Sequence, residues 1–123
     1  MPHGLIPILP CNDLQRSEQF YAQLGFINPN PGQSYEDYLL LEDRNGGHLH
    51  LTKAEEGWLI PGRNPFGLYF YTRAVDELAA KFGSAVIGGP EHKPWGMYEF
   101  GLSDPDESLV RVGWPSKLTQ QGR

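Results

Sequence analysis

One order of elements occurs twice along this chain, and that repeat restricts the possible folds more than any other feature. A short apolar strand at Leu5–Leu9 is followed by an amphipathic helix, a weak strand, a loop and a hairpin. The succession restarts at Gly67-Leu68, about 63 residues after Gly4-Leu5. In the first pass Pro7 interrupts the opening strand. Proline cannot donate to a ladder, so an edge position is expected there, and such an edge is a candidate for contact with a second subunit. Asn12 or Asp13 caps the helix, and Gln15, three residues after Asn12, fits a capping box. Leu14, Phe20, Tyr21 and Leu24 share one helical arc, and Gly25 stops the helix. Phe26–Ser34 reads as a poor strand and then a loop. Tyr38–Leu41 and His48–Thr52 form a hairpin around Asn45-Gly46-Gly47.

The second pass has an aromatic strand, Gly67–Tyr71, and a helix with Val75, Leu78, Ala79 and Phe82 inward and Gly83 as its stop. A weak strand over Ala85–Ile87 and a Gly/Pro/His-rich loop follow. The closing hairpin pairs Met97–Leu102 with Leu109–Trp114 across Asp104-Pro105-Asp106, where proline pre-sets φ and the carboxylates can accept from nearby N–H groups. Glu99 and Arg111 sit inside that hairpin, where a purely structural strand pair has no need of charge. The expected class is α+β, two βαβββ modules within one domain spanning 1–123. Module one covers about 1–53, a loop 54–65 and module two 66–115, with a frayed polar tail over 116–123.

Composition narrows the function more than the fold. At 123 residues the chain supports one real core. Its net charge of −5 argues against nucleic acid, which needs a basic footprint. A single cysteine, Cys11, rules out an internal disulfide and carries no metal motif. No apolar run approaches the length of a membrane span and nothing resembles a signal peptide, so a cytoplasmic protein with no membrane partner is expected. The loop after module one carries Trp58, which either covers the rim of a site or anchors the loop.

Asp13-Leu14, Phe20-Tyr21 and Leu24-Gly25-Phe26, then Val75-Asp76-Glu77-Leu78, then Asp104-Pro105-Asp106 with Leu109-Val110-Arg111, occur in the order and spacing of the vicinal oxygen chelate superfamily, which the chain resembles over essentially its whole length. The resemblance implies a cupped mixed sheet with the helices on its convex side. Enzymes of that superfamily hold a divalent ion through donors at four strand positions. Here those positions carry Ile6, His50, Gly67 or a neighbour, and Arg111. One donor remains, and a cation stands where the enzymes keep a glutamate. The chain therefore resembles most the metal-free bleomycin-resistance branch, which also has Trp-Gly before the seventh strand. That branch implies a homodimer that sequesters a small-molecule ligand, with no cofactor, metal or catalytic residue; whether the modules of this chain close within one subunit or by exchange between subunits stays open.

Strand alternation then assigns the concave face. Ile6, Ile8, His48 and His50 point inward from the first module, and Tyr69, Tyr71, Trp95, Met97, Glu99 and Arg111 from the second. The opposite parity (Leu49, Leu51, Leu68, Phe70, Tyr98, Phe100, Val110 and Val112) packs under the helices, and Trp114 and Cys11 are structural. The expected ligand contacts are His48, His50, Trp58, Tyr69, Tyr71, Trp95, Met97, Glu99 and Arg111: aromatic faces with a few polar handles, suited to an aromatic or cationic ligand such as a bleomycin-type antibiotic. Other readings stay open. Glu99 and Arg111 can simply neutralise one another. A metal-dependent glyoxalase or dioxygenase can use His50 with an unusual ligand set, and a metal-free lyase or isomerase can use Glu99 or a histidine as general base.

Overall fold

The positions of proline decide where the strands begin and end. The computed structural model describes residues 4–31 and 35–121, with the side chains of 119–121 left aside. It forms two compact units, Met1–Asn64 and Pro65–Arg123.

In the first unit, strand β1 runs Ile8–Cys11, after Pro7 rather than across it. It lies at the edge of a three-stranded sheet, so Pro10 within it leaves no ladder bond unmade on its free side. Helix α1, Leu14–Ala22, is capped by Asp13, whose side chain accepts from the Arg16 N–H. Asn12 does not form the expected capping box. Its amide instead donates to the Leu59 carbonyl at 3.0 Å, tying down the following loop. Strands β2, Tyr38–Glu42, and β3, His48–Lys53, form the hairpin. Asp43 Oδ1 accepts from the Asn45 and Gly47 N–H groups in its turn, and Gly46 takes a positive φ of 88°. The sheet order is β1-β3-β2, with β1 parallel and β2 antiparallel to β3. Leu9, Leu41, Leu49 and Leu51 are buried on one face together with Tyr21 and Leu24, and α1 packs on β3.

The poor strand expected at the start of Phe26–Ser34, before its loop, is one bridge, with Ile27 and Glu42 exchanging both backbone bonds. Pro29 and Pro31 remove the donors that would extend it; residues 32–34 lie outside the described set.

The second unit has strand β4, Gly67–Tyr71, helix α2, Val75–Phe82, and strands β5, Ile87–His92, β6, Met97–Ser103, and β7, Leu109–Pro115. Its order is β4-β7-β6-β5, with β4 parallel to β7. This is the order of the first unit, with β5 where that unit has only the Ile27 bridge. The sequence reading placed a strand over Ala85–Ile87 and then a loop. Instead Gly83–Ala85 form a short 3-10 turn and the Gly88-Gly89-Pro90 stretch lies within β5. A register shift between Ile87 and Glu91 absorbs it, and the glycines supply the φ values of 57° and 127° that the irregularity requires. The tail expected to fray is also ordered at its start. Ser116–Gln121 form helix α3, held by Ser116 N–H to Gly96 O and by a 2.8 Å bond between Ser116 Oγ and His92 Nδ1.

The turn between β6 and β7 follows its sequence signal: Asp104, buried, accepts from the Asp106 and Ser108 N–H groups at 2.9 Å each. Phe100, Leu102, Val110 and Val112 are buried on the face against which α2 packs. The Tyr98 hydroxyl donates to Asp76 of α2 at 2.6 Å, which fixes Tyr98 on that side as parity required. The architecture is α+β, with two mixed sheets of three and four strands. Among the described residues no helix is long and apolar enough to cross a membrane.

Candidate ligand-binding site

On the second unit's other face, β4, β6 and β7 bring one carboxylate under a set of aromatic rings. Glu99 is only 2% exposed. Its Oε1 accepts from the Tyr69 hydroxyl and from the Trp95 indole N–H, each at 2.8 Å, and its Oε2 from Arg111 Nη1 at 3.4 Å. The register explains the convergence. Glu99 lies opposite Gly113 on β7, and Gly113 is the parallel partner of Tyr71, so no side chain fills the space above Gly113. Tyr69, paired with Arg111, leans its hydroxyl into that space. Gly113 has buried, ordinary strand backbone, yet a Cβ there would run into Tyr69 Oη and come within 2.9 Å of Glu99 Cβ.

Above this buried layer the rings are open. Trp95 is 56% and Tyr71 58% exposed, and Tyr69 and Tyr71 meet edge to face with centroids 5.2 Å apart. The Arg111 guanidinium sits 5.5 Å from the Trp95 ring centroid and its side chain is 42% exposed. Burial, with the Glu99 hydrogen bond next in weight, pushes the Tyr69 hydroxyl well above the ordinary tyrosine range. The folded state thus favours the protonated phenol. That contribution is intact below about pH 10, the unfolded tyrosine value, and is lost as pH rises through the folded one. Stability should fall above about pH 10, and Tyr69→Phe should flatten part of that fall in denaturant titrations across the alkaline range. An equally steep decline in the variant would show that Tyr69 is not responsible.

The first unit carries a separate cleft of about 380 Å³, lined by Ile6, Tyr38, Leu40, Glu42, His48 and His50 among others. His50 Nδ1 and the Tyr38 hydroxyl share a 2.8 Å hydrogen bond, and His48 Nδ1 lies 3.7 Å from Glu42. Both histidines thus have protein partners within the cleft. Among the described residues no group of three or more His, Cys, Asp or Glu converges as a metal set would.

The nine residues singled out from the sequence fall into three groups. Tyr69, Tyr71, Trp95 and Arg111 form the open face of the second unit, with Met97 and Glu99 buried beneath it. His48 and His50 line the first unit's cleft. Trp58, on the loop of the first unit, is 73% exposed, while its neighbour Leu59 is buried and its carbonyl accepts from Asn12. Sequence reasoning missed Tyr38 and Glu42, which the alternation applied to β2 as well as β3 would have found. It also missed Gly113, whose parity places it beside Arg111 on the ligand face.

The strand order, with the first and last strands of each unit parallel and adjacent and the pattern repeated in both units, is a fold that recurs among solved structures. Solved structures with this fold include a bleomycin-binding protein complexed with bleomycin, to which the chain is similar with a TM-score of 0.73 and 23% identity, covering 91% of this chain and 98% of that one. The antibiotic-binding protein TnmS3 of a Streptomyces species is similar with a TM-score of 0.65 and 26% identity, covering 94% and 98%. A glyoxalase/dioxygenase from Nostoc punctiforme is similar with a TM-score of 0.70 and 18% identity, covering 89% and 88%. No family model matches the sequence, and no curated protein matches it.

Proposed function

We propose that this protein binds and sequesters a planar aromatic small molecule, and that it does so as a homodimer without transforming the ligand. The observation that carries the reading is the Glu99 arrangement: one buried carboxylate fixes Trp95 and Tyr69 through 2.8 Å bonds, so exposed aromatic rings are held in place before a ligand arrives. Rings fixed in advance lose little freedom on binding, which favours stacking affinity. The similarity to a bleomycin-binding protein and to TnmS3 supports the same reading. A general-base role for Glu99 is not favoured, because its carboxylate is buried and Oε1 already accepts from two donors at 2.8 Å. Ile8, 58% exposed on the edge strand β1, and Leu5, 95% exposed in the segment before it, support the dimer.

Tryptophan fluorescence in a Trp58→Phe/Trp114→Phe background, which leaves Trp95 as the reporter, tests the binding. Bleomycin-type and other planar aromatic compounds should quench it saturably. Silence toward all of them would leave sequestration without support. Light scattering on the eluting protein should return about twice the 13.8 kDa chain mass; a monomer mass would remove the dimer.

A further inference from the structure

Resting on the reading of the Glu99 face as a ligand site, we propose that its ligand is an aromatic acid: a flat ring system carrying a carboxylate or similar oxyanion, bound by Arg111, rather than a cation. On the strands of this face every carboxylate is already occupied. Glu99 is buried beneath three donors. Glu91, directly opposite Glu99 in the β5–β6 register and so on the same face, accepts from the Lys93 ammonium, and that contact holds its carboxyl below the usual glutamate range. A cationic ligand beside Trp95 would meet the guanidinium that already lies over that ring, while the carboxylates of these strands are each engaged in an ion pair.

Arg111 is available by contrast. Its contact with Glu99 engages Nη1 alone, at the long distance of 3.4 Å, and the side chain remains 42% exposed. The guanidinium has five N–H donors in a planar fork, a geometry that matches a carboxylate through two parallel hydrogen bonds. It lies over the Trp95 ring, 5.5 Å from its centre, so a flat ligand packed against the open edge of that indole and against Tyr71 has its own edge within reach of the fork. The exposed Tyr71 ring extends the apolar platform on the neighbouring strand. The arrangement therefore reads two properties together, a flat ring and an anionic edge.

An isosteric series separates charge from ring recognition: 2-naphthoate, 2-naphthamide and 2-naphthylmethylammonium, titrated by calorimetry at one ionic strength while the Trp95 indole N–H resonance is followed. The naphthoate should bind about tenfold or more tightly than the amide, and the ammonium more weakly than either. Arg111→Gln, which keeps a donor for Glu99, should close the gap between naphthoate and amide, and Arg111→Lys should restore part of it. If the ammonium binds as well as the naphthoate, or if Arg111→Gln leaves the ratio intact, the charge assignment is overturned, while a Trp95 shift with all three compounds preserves the aromatic reading. If none of them moves the Trp95 resonance, both fall together.

Discussion

Gly113→Ala should cost about 2–4 kcal/mol of stability and abolish measurable ligand binding, although it adds one methyl group to a strand. Glycine's lack of a side chain is the reason the site exists. A Cβ at this position would collide with Tyr69 Oη, approach Tyr69 Cζ to 3.1 Å and crowd Glu99 Cβ at 2.9 Å. The backbone is not the obstacle, since Gly113 has no positive φ, and alanine in an ordinary strand is otherwise mildly favourable. The cost arises because Tyr69 must swing away, which breaks its 2.8 Å bond to a carboxylate that has no water to turn to. A double-mutant cycle isolates this cause. In a Tyr69→Phe background the colliding oxygen is absent, and Gly113→Ala should cost at least about 1 kcal/mol less in urea unfolding. Equal penalties in the two backgrounds would show that the steric account is wrong.

The division between what was legible in the sequence and what was not follows a physical line. Alternation is local, so the parity of β6 and β7 could be read directly: Phe100, Val110 and Val112 are buried and Tyr98 reaches α2, while Glu99 and Arg111 share the other face. Turn chemistry is local too, and the Asp104 and Asp43 turns form where their residues indicated. The β5 strand was hidden because its glycines and proline signal a loop, and only pairing with β6 outweighs that preference. After α1 the poor strand read from the sequence survives as the single Ile27 bridge, because Pro29 and Pro31 permit no longer ladder.

The site itself depends on long-range register, and there the sequence was partial. A direct Glu99–Arg111 pair across the hairpin was one open reading. In the structure Arg111 lies opposite Gly101 and Glu99 opposite Gly113, so the ion pair is a diagonal one at 3.4 Å. The closer partners of Glu99 are Trp95 on the same segment and Tyr69, 30 residues earlier. No local pattern reports that last contact, because it depends on β4 pairing in parallel with β7.

The same network sets the second large effect. Glu99→Ala should reduce stability by about 2–4 kcal/mol and weaken any aromatic ligand at least about tenfold. The substitution leaves a cavity under the face and removes the acceptor from the Trp95 indole, the Tyr69 hydroxyl and Arg111 together. The rings lose the support that held them, so affinity falls even though a ligand does not touch the buried carboxylate. Glu99→Gln tells support apart from charge. Its carbonyl oxygen can still receive Trp95 and Tyr69, which share a single oxygen of the native carboxylate. Its amide N–H₂, however, would face Arg111 donor to donor, and the guanidinium would lose its compensating charge. Calorimetric melting should therefore place Glu99→Gln between the native protein and Glu99→Ala, with ring binding largely retained. An aromatic acid, meeting an Arg111 no longer neutralised from below, should bind the glutamine variant at least as tightly as the native protein. A glutamine variant as deficient in ligand binding as the alanine one would assign Glu99 a direct ligand contact and overturn its role as buried support.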